Sequence, residues 1–91
     1  MAWAVELAES AADALDNLDP VIQQRLWRFL RERLSRTDNP RQSGKALTGR
    51  YGGLWRYRVG DYRLICRLED ARLVMVVVKI GHRSEVYRGN P

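Results

Sequence analysis

Arginine is the residue type in this chain whose spacing most suggests chemistry. Arg56 and Arg58 precede the dipeptide Gly60-Asp61, and Arg63 and Arg67 follow it. Trp55, Tyr57 and Val59 alternate with the first pair, and Tyr62, Leu64, Cys66 and Leu68 alternate with Arg63, Ile65 and Arg67. Gly-Asp suits a two-residue hairpin turn, and such a turn fixes register. Val59 then faces Tyr62, Arg58 faces Arg63, Tyr57 faces Leu64, Arg56 faces Ile65 and Trp55 faces Cys66. One side of the hairpin is apolar and aromatic and should lie under helices. The other carries Arg56, Arg58, Arg63 and Arg67 around Ile65. A slip of one residue would drive these arginines into the core. Arg58 opposite Arg63 is a like-charge pair, which costs stability, and no acid inside either strand relieves it. Rules broken without local compensation are expected where function lies. The competing account is a face of solvated arginines whose stems lie over Ile65. Guanidinium forks match phosphate oxygens, so the face is read as a phosphate-binding surface.

The chemistry open to such a face is narrow. The chain contains one His, His82, and one Cys, Cys66, and no Gly-rich phosphate loop. Acids in the second half are Asp61, Glu69, Asp70 and Glu85, and the first three sit where turns are expected. Neither a His/Cys metal site nor a carboxylate magnesium cluster is expected. No cofactor is called for, and any cleavage of nucleic acid should be metal-free. RNA supplies its own nucleophile, the 2′-OH. Cleavage then needs a group to take that proton, cations to offset charge on the phosphorane, and a group to protonate the leaving 5′-oxygen. Arginine suits the second task and not the proton transfers. His82 and Tyr87, with ordinary pKa values of about 6.5 and 10, are the titratable candidates. A lone His after a strand is also a common surface residue. Tyr87 can serve as acid or base, stack on a base, or pack the tail onto the sheet.

The elements that must position these residues follow from periodicity. The chain has 91 residues, 45% of them hydrophobic, enough for one domain over 1–91 with a modest core. Ala2 to Leu7 alternates as a short strand, and Ala8 to Leu18 repeats at helical spacing. Asp19-Pro20 reads as N-cap and first helical residue of a second helix, with an apolar stripe of Val21, Ile22, Leu26, Phe29, Leu30 and Leu34 running to about Ser35. Thr37 to Gly44 reads as a loop. Ala46 and Leu47 can form a short strand before turns at Gly49, Gly52 and Gly53. After the hairpin and a turn over Glu69 to Arg72, Leu73 to Ile80 is apolar on both faces, as in a central strand, and Gly81 onward is a polar tail. The fold class is therefore α+β: an N-terminal strand and two-helix hairpin packed on one face of a small, mainly antiparallel four-stranded sheet.

Charge is uneven along the chain. Residues 1–40 hold five Arg against seven acids, whereas residues 41–91 hold eleven Lys or Arg against four. That asymmetry suggests a polyanionic partner. A single cysteine excludes an internal disulfide and fits a reducing compartment such as the cytoplasm. The start of the chain shows no signal-peptide pattern, and the longest apolar run, Leu73 to Val78, is too short for a bilayer.

Two helices, the hairpin segment Val59-Gly60-Asp61-Tyr62-Arg63-Leu64 and the tail Gly81-His82-Arg83-Ser84-Glu85-Val86-Tyr87 together resemble the RelE toxins of bacterial toxin–antitoxin pairs, within the RelE/ParE superfamily. The resemblance covers nearly the whole chain. It implies a ribosome-dependent endoribonuclease that cuts mRNA in the A site without a metal, on a small antiparallel sheet packed against N-terminal helices. It also implies a RelB-like antitoxin that wraps and blocks the toxin, operator DNA reached only through that antitoxin, and no membrane. Two family lysines before the turn correspond to Arg56 and Arg58, which as arginines can act only electrostatically. The resemblance carries catalytic roles to Arg63, Arg83 and Tyr87, with His82 as an alternative to Arg83 because this tail is short. Arg67 and Lys45 complete the phosphate-binding set. The alternative within the superfamily is a ParE-like inhibitor of DNA gyrase with no nuclease activity.

Overall fold

The structure, a computed structural model, describes residues 3–88. Strand β1 (Ala4–Leu7) leads to helices α1 (Glu9–Asp16) and α2 (Pro20–Phe29), and α2 continues through a wider π-type turn over Leu30–Leu34. Then come β2 (Lys45–Ala46), β3 (Leu54–Val59), β4 (Tyr62–Glu69) and β5 (Val74–His82). The sheet order is β1-β5-β4-β3-β2, with β1 parallel to β5 and the other pairs antiparallel. The sheet has five strands rather than the four expected, because Lys45 and Ala46 pair with Arg56 and Trp55 as a two-residue edge strand. The apolar run forms β5, an interior strand flanked by β1 and β4 as expected, and β4 is the middle strand of the five. His82 belongs to that strand rather than to the tail.

The helical hairpin forms as the apolar spacing dictates. Ala11 and Leu15 are buried on α1, and Leu26, Leu30 and Leu34 form one buried stripe at four-residue intervals. Pro20 opens α2 as expected, but Asp19 makes no side-chain cap. The Gln23 side chain instead folds back to donate to the carbonyls of Asp16 (3.0 Å) and Leu18 (2.8 Å). It thereby satisfies acceptors left open at the end of α1. The stripe packs on Tyr57, Val59, Leu64, Cys66, Met75, Val77 and Ile80, the helix-facing side of the sheet. Burial pushes the Cys66 thiol well above its usual pKa. No helix among the described residues is long and apolar enough to cross a membrane.

Tyr57 is the largest fully buried side chain. Its hydroxyl donates to the carbonyl of Pro40 at 2.7 Å, which ties the irregular segment before β2 to the core. Burial raises its phenol pKa, with a smaller contribution from Cys66. Gly44 presses against the same ring: a Cβ there would stand 2.8 Å from Tyr57 Cζ. Gly44→Ala should therefore cost roughly 1–3 kcal/mol through overpacking. Urea denaturation should show a lower midpoint at unchanged slope; an unshifted midpoint would contradict this contact.

Candidate nucleic-acid interface

The hairpin adopts the register that the sequence implies. Val59 pairs with Tyr62, Arg58 with Arg63, Tyr57 with Leu64, Arg56 with Ile65, Trp55 with Cys66 and Leu54 with Arg67. Gly60 has φ +59, and Asp61 has no positive φ. Gly at the first turn position with that φ is the type II′ arrangement whose twist suits paired strands. Alternation then carries Arg56, Arg58, Arg63 and Arg67 to the side away from the helices.

These four arginines differ in what holds them. Among the described residues, no carboxylate of this chain forms an ion pair with Arg56, Arg58 or Arg63. Arg58 is exposed. Arg63 curls back so that Nη1 donates to the carbonyls of Gly60 (3.0 Å) and Tyr62 (2.9 Å), which leaves its full charge on the face. Arg56 buries its Nε with no partner. Arg67 stands 3.6 Å from Glu69 and lies four residues beyond Arg63, about 13 Å along the strand. Lys45, opposite Arg56, helps line a cavity of about 290 Å³ with Arg33, Arg56 and Arg58, over Phe29 and Val59. No acid lines it. Elsewhere, some cations of the described residues do find acids. Arg41 and Asp70 make a bidentate pair at 2.8 Å, which holds the Asp70 carboxyl below its usual range. Arg72 reaches Glu69 and Glu6.

The tail returns over the same face. A bulge between Ile65 and Cys66 in the β4–β5 pairing leaves Val78 as the extra residue and sets Lys79 opposite Ile65. Gly81 pairs with Arg63. A Cβ at Gly81 would stand 3.3 Å from Val86 Cα, so glycine lets the chain double back here without crowding the tail. Val86 is thereby buried with Tyr51 and Ile65 in a second small core, against which Leu47, Leu54, Val78 and Tyr87 pack. The side of the sheet read as open to water is thus partly covered, and Ile65 lies under Tyr51 and Val86 rather than under arginine stems. The Tyr87 and Tyr51 rings meet edge to face, with centroids 5.5 Å apart, and the Tyr87 hydroxyl is buried without a partner.

The two remaining tail candidates lie elsewhere. The Arg83 backbone N–H donates to the Asp61 carbonyl at 2.7 Å, and its guanidinium stands 3.9 Å from the Asp61 carboxylate, so it is tied to the hairpin turn. His82 pairs with Tyr62 and meets its ring edge to face at 5.7 Å. Since Tyr62 packs with the helix-facing core, His82 projects to the side opposite the arginines. Its Nδ1 is engaged by Ser84 Oγ at 2.8 Å. Arg50 and Tyr51 also reach the tail, from the turn after β2, and their one signal in the sequence is an aromatic residue inside a Gly-rich turn. Among the described residues no group of three His, Cys, Asp or Glu side chains could hold a metal ion.

This arrangement can be set beside known proteins. A family model described as the ParE toxin of type II toxin–antitoxin system, parDE, matches residues 5–87. The chain belongs to that family. It is thus a type II toxin of the RelE/ParE superfamily. Toxin RelG of Mycobacterium tuberculosis is 32% identical over 88 residues, covering 97% of this chain and 99% of that one. The toxin–antitoxin complex RelBE2 from the same organism contains a chain with TM-score 0.84 and 30% identity, covering 91% of this chain and 100% of its own. The RelBE toxin–antitoxin complex of E. coli gives TM-score 0.71 at 21% identity over 89% of this chain and 96% of that one, a likeness of fold alone.

The Arg58–Arg63 pair gives this family member a measurable internal conflict. Arg58→Glu replaces repulsion with attraction across the strands and should raise stability by roughly 0.2–1 kcal/mol at low salt. The gain should fade as salt is added. A destabilised variant would mean that the pair is already relieved.

Proposed function

We propose that this toxin is a metal-free endoribonuclease that cuts mRNA on the ribosome, and that the arginine face of β3 and β4 is where the phosphodiester lies. The observation that carries the reading is the pair of buried, unpartnered polar atoms, Arg56 Nε and Tyr87 Oη. Arg56 and Tyr87 both border the Ile65 face, and an unsatisfied buried polar group costs about 1–3 kcal/mol. A phosphate seated there, once the side chains covering these atoms shift, would give the Arg56 donor an acceptor and the Tyr87 hydroxyl a partner. The unneutralised charges of Arg56, Arg58 and Arg63 support the same occupant.

The chemistry is transesterification. The 2′-oxygen loses its proton and bonds to the adjacent phosphorus; the bond from phosphorus to the 5′-oxygen breaks; a proton goes to that oxygen. The products are a 2′,3′-cyclic phosphate and a free 5′-hydroxyl. Arg56, Arg58 and Arg63 offset the negative charge that grows on the phosphorane, where preorganised cations act most strongly. Tyr87 moves one proton at its hydroxyl. Arg83, next to the hairpin turn, offsets charge at the leaving oxygen, and because His82 is held in β5 on the side opposite the arginines, the second proton step falls to a water molecule. Lys45 and Arg67 contact flanking phosphates. A RelB-like antitoxin, the kind of partner found with the RelBE2 toxin chain, would cover this face with acidic residues on an amphipathic segment. Operator DNA would then be reached through that partner.

Brief induction followed by mapping of mRNA ends tests the reading. Cuts confined to translated codons are expected. Intact mRNA with stalled gyrase would overturn it and favour the gyrase-directed alternative. Tyr87→Phe removes an unsatisfied hydroxyl, so the fold should be as stable or more stable, while cleavage falls about 10²- to 10⁴-fold. Equal losses of both would make Tyr87 a packing residue. Arg63→Ala should remove about 2–4 kcal/mol of transition-state stabilisation, and an unchanged cleavage rate would exclude it from the site.

A further inference from the structure

The short helical turn Gly49–Tyr51, between β2 and β3, grips the tail at one point. Arg50 Nη2 donates to the Tyr87 carbonyl at 2.7 Å, and Tyr51 Oη donates to the same oxygen at 2.9 Å. The grip is itself braced. The Arg50 guanidinium lies 5.2 Å from the Tyr51 ring centroid, and Lys79 Nζ lies 5.8 Å from it. Lys79 also donates to the next carbonyl, that of Arg88. Gly49, at φ +66, provides a backbone bend at the start of this turn that other residues adopt only with strain. Two donors on one carbonyl fix where the Tyr87 side chain begins, and the Tyr51 ring limits where it can swing.

From this geometry we infer that Arg50 and Tyr51 are positioning residues, which set where the Tyr87 hydroxyl stands when RNA is cleaved. The inference rests on the reading that Tyr87 moves a proton. Holding a carbonyl 2.7–2.9 Å from two donors is a demanding way to secure a tail whose Val86 is already buried. It makes sense where the adjacent side chain must be held to a fraction of an ångström, since a misplacement of about 1 Å can cost on the order of 10²-fold in rate.

Tyr51→Phe removes the hydroxyl and keeps the ring; Arg50→Ala removes the guanidinium. Cleavage of ribosome-bound mRNA by the full chain should lose about 10- to 100-fold in kcat in the double variant, with KM nearly unchanged. Arg50→Lys should recover part of the loss. The decisive comparison is the same double variant made in Tyr87→Phe protein, where it should cost almost nothing further, because the grip acts through Tyr87. An equal loss in both backgrounds would overturn the inference and leave Arg50 and Tyr51 with a structural role. A readout independent of activity uses ring-labelled tyrosine NMR on the free protein. The double variant should shift the Tyr87 ring signals toward averaged positions, while Tyr57 signals stay put. Unchanged Tyr87 signals would overturn the positioning role even if the wild-type chain cuts no RNA, an outcome that would separately contradict the proposed function.

Discussion

Burial of one face of the β3–β4 hairpin holds like charges together on the other. Tyr57, Leu64 and Cys66 are fully buried beneath α1, α2 and the turn that extends α2. Burying a large apolar side chain contributes about 1.5–3 kcal/mol, whereas a cross-strand like-charge pair costs roughly 0.2–1 kcal/mol. The first effect wins several times over. The Gly60 turn then admits one register, and a slip would exchange the two faces. Electrostatic strain in the arginine face is thus maintained by packing on the far side of the sheet. Arg58 and Arg63 need no carboxylate of this chain to stay where they are.

A second constraint acts from the tail. Because Gly81 lets the chain double back, Val86 and Tyr87 settle beside Ile65 instead of projecting past the end of β5. At this small core the Tyr87 hydroxyl is buried and unpartnered, as is Nε of Arg56, whose strand position faces Ile65. Among the described residues these are the buried side-chain polar atoms without a partner, and each costs stability. A phosphate on this face of uncompensated charge is what the proposed function supplies to them.

Much of the fold was legible in the sequence because its signals are strong and local. The hairpin pairing, the helix stripe through Leu26, Leu30 and Leu34, and the side to which the four arginines point all follow from period and turn chemistry. The fifth strand was half visible, since two residues, Lys45 and Ala46, carry almost no periodicity. Asp19 looked like a cap, but Gln23, a residue with no capping signature, secured the junction between the helices through a tertiary contact. The bulge at Val78 was hidden because Val74 to Val78 is apolar throughout, so nothing in the pattern up to that point records the change of face. That bulge decides which side Lys79 and His82 occupy. The grip of Arg50 and Tyr51 on the tail spans more than 35 positions in sequence, and no local rule announces it. The candidate site was therefore readable strand by strand, while the way the tail completes it was not.

The central claim is that the arginine face, and no other basic surface of this toxin, receives the phosphodiester. Arginine Nε–H resonances measured during titration with a short single-stranded RNA, blocked by a 2′-deoxy residue at the cleavage position, test it most directly. The account predicts that the Nε–H signals of Arg56 and Arg63 move strongly and saturably, with Arg56 Nε–H becoming protected from exchange with water, while those of Arg25 and Arg28 on α2 remain in place. Shifts confined to α2, or uniform small shifts across all arginines that vanish at modest salt, would contradict it.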